Sequence, residues 1–392
     1  MKDGWEIMKL GDVCMIERGG SPRPIESYIT NDDGINWIKI GDTKNVTKYI
    51  TTTKDKIKQA GAKKSRMVFD GDFILSNSMS FGRPYIMKTT GCIHDGWLVL
   101  RNPKVDHDYL YHVLSSDLVY SQFDSLAAGS TVRNLNIGLV QGVHIPIPPV
   151  AEQQRIVAIL DEAFEGIATA KANAEKNLKN ARQLFESHLN SVFSQRGEGW
   201  VEKSLGEVCR ITSVLVDPRK DELLDLTHVG AGNIVSQEGA LVNLKTSREE
   251  SLISGKFLFD DSMVLYSKIR PYLMKVVRPD FSGLCSADIY PLTPNLYEIT
   301  RSYLFHLLLS KSFTDYAIQG SERAGMPKVN REHLFGFLVW LPTIQKQKEL
   351  SEKLDQLHSE TKHLESIYRK KIAALDALKK SILQKAFAGE LS

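Results

Sequence analysis

Two long stretches of the chain repeat apolar residues at alternating steps of three and four. The stripe of the first stretch, residues 150–195, is Ile156, Leu160, Ala163, Ile167, Ala170, Ala174, Leu178, Ala181 and Phe185. The stripe of the second, residues 343–392, is Leu350, Leu354, Leu357, Leu364, Tyr368, Ile372, Leu375, Leu378 and Ile382. This spacing is typical of a coiled-coil seam, and the step of four before Leu178 resembles a stutter. The pattern predicts two helices of about 40 residues, each roughly 60 Å long.

Neither predicted helix can bury its stripe alone, so the sequence predicts that the two helices pair. Each follows a proline segment, "IPIPP" at residues 145–149 and "LP" at residues 341–342. Proline suits the start of a helix and cannot continue a strand ladder. We therefore expect each proline segment to set the angle between a globular domain and its helix.

The remaining sequence mixes short strand-like runs with loops rich in Gly, Asp and Ser. In the first part these runs are "INWIKIGD", "FILSNS" and "GWLVLRN", followed by a helical pattern at residues 108–123. The later part contains "DSMVLYS" and "DIYPLT", followed by a helical pattern at residues 299–318. The sequence predicts an α+β fold with two globular domains of mixed helix and strand.

An internal repeat relates the two parts. Four pairs are separated by 195 positions: Trp5 and Trp200, Leu10 and Leu205, Gly11 and Gly206, Cys14 and Cys209. Further along, "RPYIMK" matches "RPYLMK", "CIHD" at residues 92–95 matches "CSAD" at residues 285–288, and from Tyr109 and Tyr303 onward the separation is 194. The chain is two copies of one unit of about 195 residues. An approximate two-fold axis between the copies makes the two long helices antiparallel.

This organisation predicts four segments: a globular domain at residues 1–149, a helix at 150–195, a second globular domain at 196–342 and a second helix at 343–392. The chain has no run of about 18 apolar residues, and its start lacks the apolar stretch of a signal peptide, so we expect a cytoplasmic protein. The four cysteines are far apart, which predicts buried free thiols without a disulfide or a metal site.

The net charge of +3 is small, but basic residues are concentrated in one segment. Residues 44–66 contain eight Lys or Arg and one Asp. Such a surplus is what a phosphate-contacting surface needs, although a solvated loop or helix face has the same composition.

Motifs of a catalytic subunit are missing from the sequence. It contains neither the GxxxxGK[ST] loop of a nucleotide-driven motor nor the Asn/Asp-Pro-Pro-aromatic tetrapeptide typical of adenine methyltransferases. The "RPDFSG" at residues 278–283 lacks the following acidic and lysine residues of a nuclease motif. His112 and His306 are repeat partners inside apolar helical patterns, which favours a core role. We predict no catalytic residue and no metal site.

Taken in order, a variable domain, "PIPPVAEQQRIVAIL", a long helix, a second domain, "LPTIQKQKELSEKLDQL", a long helix and "ILQKAFAGEL" resemble the specificity subunit of type I restriction-modification enzymes. The resemblance covers the whole chain. The second motif departs from the first at Lys346, where a basic residue stands in place of the acidic Glu152 of "VAEQ".

The resemblance implies a non-catalytic subunit with two target recognition domains, at residues 1–149 and 196–342. It implies that each domain recognises one half of a split double-stranded DNA target, while the helices at residues 150–195 and 343–392 set the gap between the halves. Half-sites on one face of DNA lie about 34–36 Å apart. The implied partners are two methyltransferase subunits and restriction or motor subunits. We expect no cofactor on this chain, with S-adenosylmethionine and ATP with Mg²⁺ on those partners.

Candidate DNA-binding residues are the basic and amide or hydroxyl side chains in loops that recur in both copies, because such groups contact base edges and phosphates. In the first copy they are Lys39, Lys63, Lys64, Arg66, Asn77, Ser78, Arg83, Ser130, Thr131, Arg133 and Asn134. In the second copy they are Ser267, Lys268, Arg270, Ser321, Arg323, Lys328 and Asn330.

One alternative is a non-catalytic coiled-coil scaffold whose globular domains bind protein. The near-neutral net charge favours it, whereas the basic segment and the repeated polar loops favour DNA. Salt dependence separates the two, because DNA binding weakens steeply with salt and an apolar protein interface does not.

Overall fold

The computed structural model describes residues 4–77, 81–127, 134–321 and 327–391. It divides into two compact units, Met1–Ala174 with Lys370–Ser392, and Glu175–Arg369. Each unit therefore combines one globular part with a portion of both long helices. The four-segment boundaries expected from the sequence stay a prediction.

The first unit begins with twelve short strands and five short helices. The strands are β1 Glu6–Lys9, β2 Met15–Arg18, β3 Ile29–Thr30, β4 Ile35–Ile38, β5 Tyr49–Ile50, β6 Asp55–Ile57, β7 Arg66–Val68, β8 Phe73–Ser76, β9 Pro84–Met87, β10 Gly91–Ile93, β11 Trp97–Arg101 and β12 His144–Ile147. The helices are α1 Leu10–Val13, α2 Gln59–Ala62, α3 His107–Leu114, α4 Asp117–Ala127 and α5 Ile137–Gln141, after which α6 Val150–Ser194 begins.

Two five-stranded sheets form the body of the first unit, in the orders β3-β6-β4-β10-β7 and β2-β11-β8-β9-β5. The β1 strand pairs with β12 in a separate antiparallel ribbon, with Glu6 opposite Ile147. This ribbon brings the start of the unit beside the first proline segment.

The described part of the second unit follows a similar order of elements, with eleven strands and without a counterpart of α2. Its strands are β13 Val201–Ser204, β14 Cys209–Arg210, β15 Leu215–Val216, β16 Thr227–Val229, β17 Lys245–Thr246, β18 Lys256–Phe259, β19 Val264–Ser267, β20 Val276–Val277, β21 Gly283–Ser286, β22 Ile289–Pro294 and β23 Leu338–Leu341. Its helices are α7 Leu205–Val208, α8 Arg301–Leu309, α9 Lys311–Gln319 and α10 Arg331–Phe335, and α11 Ile344–Ala388 follows.

Its sheets correspond to those of the first unit. They are a four-stranded sheet in the order β14-β22-β19-β20, a five-stranded sheet in the order β15-β18-β21-β16-β17 and the ribbon β13-β23. The predicted α+β class and the internal repeat are confirmed.

Serines divide each predicted helical stretch after the sheets into two helices. The pattern at residues 108–123 predicts one helix, but α3 ends at Leu114, and the Ser116 hydroxyl donates to Val113 O at 2.6 Å. In the second unit Ser310 separates α8 from α9, and its side chain accepts from the Phe313 amide. A hydroxyl that satisfies helix-end groups favours a boundary over a continuous helix.

The long helices α6 and α11 each contain 45 residues. In the first unit the Arg155 guanidinium donates to Leu391 O at 2.8 Å, and Lys171 Nζ lies 2.7 Å from Asp376 Oδ1. In the second unit Arg182 Nε lies 3.1 Å from Glu365 Oε2. The Phe185 and His358 rings of that unit are 4.6 Å apart. Ascending positions of α6 meet descending positions of α11, so the two helices are antiparallel within each unit.

Burial varies along the apolar stripe of the two long helices. Five of the predicted interface residues are buried: Ile156, Leu160, Ile167, Phe185 and Leu354. Five others are half-buried: Leu178, Leu350, Leu357, Leu375 and Ile382. Leu364 and Leu378 are exposed, at 38% and 47%. The assignment of all twelve to the helix interface stays a prediction.

All four cysteines are buried free thiols, and burial raises the pKa of Cys14 and of Cys209 to about 12. Among the described residues, no helix combines the length and apolarity needed to cross a bilayer.

Candidate nucleic-acid interface

In the first unit, the loop after β8 is bonded to the segment that precedes α5. The Leu135 amide donates to Asn77 O at 2.9 Å, which places Asn77 beside the exposed Asn134. The Asn77 side chain is buried and donates to Asp95 O at 2.8 Å. Asn77 therefore forms hydrogen bonds to two other loops. In one of these loops Asn134, next to Leu135, has an exposed side chain.

The second unit forms the same junction. The Val329 amide donates to Lys268 O at 2.9 Å, and the Lys268 ammonium donates to Ala287 O at 2.7 Å. A bridge between Ile269 and Lys328 and a bond from the Arg270 amide to Pro327 O extend the contact. Predicted residues that are about 60 positions apart in sequence are adjacent here.

Each junction holds a carboxylate that was not among the predicted site residues. In the first unit the Ser21 hydroxyl donates to Asp95 Oδ1 at 2.6 Å, and Arg23 lies 3.5 Å from Oδ2. The hydrogen bond from Ser21 is the main cause of the lowered pKa of Asp95. In the second unit Asp288 Oδ1 lies 3.2 Å from Lys328 Nζ and 3.6 Å from Lys268 Nζ. The repeated "CIHD" and "CSAD" motifs were the available sequence signal for both carboxylates.

A cleft of about 590 Å³ lies beside Asp95. Trp37 and Ile40 contribute apolar surface to it, while Arg23 and Lys39 contribute charge. The Lys39 ammonium forms an ion pair with Asp55 in the same cleft. Burial lowers the pKa of the neighbouring His94. The cleft offers donors, an acceptor and apolar faces, which together suit the edge and face of a nucleobase.

The basic segment, residues 44–66, spans β5, β6 and α2 and ends at the first residue of β7, and its members have different surroundings. Lys63 is exposed, whereas Lys64 Nζ donates to the Tyr28 hydroxyl at 2.8 Å. Arg66 pairs with Glu17 at 3.0 Å and lies opposite Ile93 in the sheet. Arg66 is thereby next to the strand that leads to Asp95. Of these three basic residues, Lys63 is the one without a side-chain partner among the described residues, which makes it the best candidate for a phosphate contact.

The remaining described candidates have mainly structural contacts. The Arg83 guanidinium donates to Val46 O at 3.1 Å, while the Arg270 side chain is exposed. Ser267 is buried, and the buried Ser321 donates to Ile318 O. Asn330 caps α10 by accepting from the His333 amide at 2.7 Å. Ser78, Ser130, Thr131, Arg133 and Arg323 lie outside the described residues.

A buried glutamine joins each globular part to its long helix. In the first unit Gln153 accepts from the Asp106 amide at 2.8 Å and donates to Pro148 O at 2.8 Å. In the second, Gln347 accepts from the Thr300 amide at 2.9 Å and donates to Glu298 O and Pro342 O. These glutamines, in the "EQQ" and "QKQ" motifs, thus hold each proline segment against the start of α3 or α8.

The two buried histidines pair with carboxylates of the long helices. His112 Nε2 lies 2.9 Å from Asp161 Oδ1, and His306 Nε2 lies 2.8 Å from Asp355 Oδ1. Burial lowers the pKa of both histidines, against the raising effect of the carboxylates. These contacts give His112 and His306 a structural role, as predicted. Within the described parts of the chain, no group of three His, Cys, Asp or Glu side chains is arranged to hold a metal ion.

Comparisons with known proteins agree with this repeated arrangement. The family model of the type I restriction modification DNA specificity domain matches residues 2–180 and again residues 197–373. One relative is the EcoDI type I restriction enzyme specificity subunit of Escherichia coli, 28% identical over an alignment of 318 positions that covers 73% of this chain and 70% of that protein. The EcoKI specificity subunit of Escherichia coli strain K12 is 22% identical over an alignment of 432 positions that covers 100% of this chain and 90% of that protein.

Solved structures show the same fold. A chain from a study of complex assembly and conformational transition of the type I R-M system superposes with a TM-score of 0.80 at 19% identity, covering 100% of this chain and 99% of that one. The HsdS subunit from Thermoanaerobacter tengcongensis gives a TM-score of 0.62 at 20% identity, covering 100% and 98%.

The resemblance drawn from the sequence motifs is confirmed, and with it the prediction of a non-catalytic DNA-recognition subunit. The two matches of one family model correspond to the two units of the fold. The chain belongs to the type I restriction-modification DNA specificity family, as a specificity subunit with two target recognition domains.

Proposed function

We propose that this chain recognises a split DNA sequence, one half per target recognition domain, with the gap set by α6 and α11. The observation that carries the proposal is the loop junction that recurs in each unit, where Leu135 bonds to Asn77 and Val329 bonds to Lys268. A junction built twice from separate loops offers two places for donors and acceptors that can contact base edges.

Within each junction we assign different roles to the side chains. Asp95 and Asp288 are the acceptors for exocyclic amino groups of bases. The exposed cations Arg23 beside Asp95, Lys328 beside Asp288 and Lys63 in the basic segment contact phosphates, which orients the domain without selecting sequence. The other predicted residues with exposed side chains, among them Asn134 and Arg270, extend the same surface.

The helices act as the spacer because two sets of contacts hold the start of each helix against its globular domain. The glutamines Gln153 and Gln347 fix the proline segments, and the pairs His112–Asp161 and His306–Asp355 fix the next turns of the helices. A helix of 45 residues is roughly 68 Å long at 1.5 Å per residue. Rods of that length suit half-sites one or two helical turns of DNA apart.

We further propose that two methyltransferase subunits dock on the exposed faces of α6 and α11, and that restriction and motor subunits join them in the cytoplasm. S-adenosylmethionine and ATP with Mg²⁺ are then bound by those partners. The two docking faces differ in charge order: Glu152 pairs with Arg155 at 2.7 Å, whereas Lys346 pairs with Glu349 at 3.1 Å.

The test is mapping of N6-methyladenine in genomic DNA from cells that express this chain with a methyltransferase partner, compared with cells lacking this chain. We expect methylation at a split motif with a fixed gap. Replacing residues 1–149 by those of another specificity subunit should change one half of the motif and leave the gap and the other half intact.

Two outcomes would contradict the proposal. Methylation that does not depend on this chain would remove its role in sequence recognition and favour a protein-binding scaffold. A domain replacement that changes both halves would show that the domains do not act separately.

A further inference from the structure

Two ion pairs join α6 to α11, one within each unit, and both have the same polarity. In the first unit α6 supplies Lys171 and α11 supplies Asp376, at 2.7 Å. In the second unit α6 supplies Arg182 and α11 supplies Glu365, at 3.1 Å. In both units the base lies on α6 and the acid lies on α11.

The repeat makes these two pairs equivalent. Lys171 and Glu365 are 194 positions apart, and so are Arg182 and Asp376, which is the separation of the two copies in this region. Each pair therefore occupies the same place in the repeated architecture. The two copies carry opposite charges at both equivalent positions.

This arrangement has a consequence for pairing between two copies of the chain. If α6 met α6 of a second copy in the same antiparallel register, Lys171 would face Arg182 twice. If α11 met α11, Glu365 would face Asp376 twice. Either like pairing places equal charges together, which is unfavourable, whereas the α6–α11 pairing places opposite charges together.

Side-chain size along the apolar stripe gives a second, independent indication. At three equivalent stripe positions α6 has alanine where α11 has a large residue that is at least half-buried: Ala163 and Leu357, Ala174 and Tyr368, Ala181 and Leu375; one buried pair, Ile167 and Thr361, has the reverse order. An α6–α6 seam would be depleted of packing volume, and an α11–α11 seam would be overfilled. A helix rich in small stripe residues suits one that is rich in large residues.

We propose that charge and side-chain size specify the pairing of α6 with α11 and exclude pairing with the same helix of a second copy of this chain. Self-pairing of one half would present two identical domains. The specified pairing instead joins two different target recognition domains. The pairing of α6 with α11 is inferred only from the helix contacts and the repeat, so it does not depend on the proposed DNA recognition.

The first test is a double-mutant cycle in the intact chain. Lys171→Glu creates the Glu–Asp charges of an α11–α11 pair, and Asp376→Arg creates the Lys–Arg charges of an α6–α6 pair. We expect each single variant to lower the folding equilibrium constant roughly two- to fivefold at low salt, the scale of an exposed ion pair. The double variant Lys171→Glu/Asp376→Arg should recover the loss.

Urea unfolding measures these changes, and high salt should erase them because exposed charges are screened. The exposed Glu175 on α6 supplies the control: Glu175→Lys should change the equilibrium constant by much less than Lys171→Glu. If the double variant loses as much stability as the two single variants together, charge does not specify the pairing and the proposal is wrong.

The second test compares self-association of two variants, refolded from urea at matched concentration and followed by sedimentation velocity. Lys171→Glu weakens one pair within the chain but places an acid opposite Arg182 twice when two α6 helices meet. Lys171→Glu/Arg182→Glu weakens both pairs within the chain and leaves only repulsion between two α6 helices. We expect several-fold more dimer from the single variant, although the double variant is the less stable protein.

This order separates pairing specificity from general destabilisation. If association simply followed instability, the double variant would form more dimer. Equal association of the two variants, or more dimer from the double variant, would overturn the proposal.

Discussion

The two units contain the same loop junction, but the side chains around it differ. The backbone bond from Leu135 to Asn77 and the bond from Val329 to Lys268 are both 2.9 Å long. The carboxylate beside the first bond is surrounded by a hydroxyl and an arginine, and the carboxylate beside the second by two lysines. The backbone frame belongs to the repeat, while the donors and charges belong to each copy. The proposed recognition of two different sequences needs this separation of frame and side chains.

The largest effect is expected where the frame meets the long helices. Gln347 is fully buried and makes three hydrogen bonds, whereas Gln153 makes two. Each buried group left without a partner costs about 1–3 kcal/mol. We expect Gln347→Leu to lower the free energy of unfolding in urea by about 2–4 kcal/mol, and Gln153→Leu to lower it somewhat less.

The nearby exposed glutamines provide matched controls. Gln345→Leu and Gln154→Leu remove the same side chain from solvent-facing positions, and they should change the free energy of unfolding by less than about 0.5 kcal/mol. Equal effects at buried and exposed positions would contradict a joining role for the buried glutamines.

The next effect concerns the carboxylates of the two junctions. The Asp95 and Asp288 side chains are 48% and 38% exposed, so both retain oxygens for a base amino group. We expect Asp95→Asn and Asp288→Asn each to weaken discrimination at one half-site by about 1–3 kcal/mol and to leave the other half unchanged. Competition binding with half-site variants of the mapped motif measures this change.

Asp12→Asn serves as the control, because Asp12 is an exposed carboxylate on α1 outside the junction. It should alter neither half of the motif. Relaxed discrimination at both halves in a single variant would show that Asp95 and Asp288 do not act in separate domains.

The sequence alone predicted the repeat, the fold class and the long helices, because these depend on periodicity and on residues that recur at a constant separation. It missed Asp95 and Asp288, since the repeated "CIHD" and "CSAD" motifs show that the acid recurs but not that its carboxylate lies beside the loop junction. Nor does the sequence show that Asn77 and Ser267 are buried or that Asn330 caps α10, because burial and helix capping depend on the folded contacts of each loop. Whether any of these residues contacts DNA stays a prediction.

A smaller effect on stability is expected from the two buried histidines. Each pairs with an aspartate of a long helix, but their surroundings differ. Asp355 binds both His306 and the Arg278 guanidinium, whereas Asp161 binds His112. Burial lowers the pKa of both histidines, including that of the more deeply buried His306, and a positive charge lowers each further, that of Lys48 for His112 and that of Arg278 for His306. Between the lowered pKa and the ordinary value near 6.5, the unfolded chain binds more protons than the folded chain.

The free energy of unfolding should therefore fall as the pH drops below about 6.5. We expect His306→Gln, which keeps a neutral donor for Asp355, to reduce this pH dependence more than His112→Gln does. Urea unfolding between neutral and mildly acidic pH measures it, with the exposed His188→Gln as control. A His306→Gln variant with the full pH dependence of the unmodified chain would contradict the assignment.

The smallest effect follows from the uneven basic charge of the two units. Residues 44–66 carry eight Lys or Arg and one Asp, whereas the corresponding region of the second unit has few basic residues, among them Lys245. Each phosphate contact contributes about 0.9 to the slope of log affinity against log salt. We expect Lys63→Gln to reduce the slope by about 0.9, so that over a fourfold rise in salt the affinity of the variant falls roughly threefold less than that of the unmodified chain, uniformly across DNA sequences. Lys245→Gln, at an exposed position of β17, should leave the slope unchanged, and an equal reduction in both variants would assign phosphate contacts to both units.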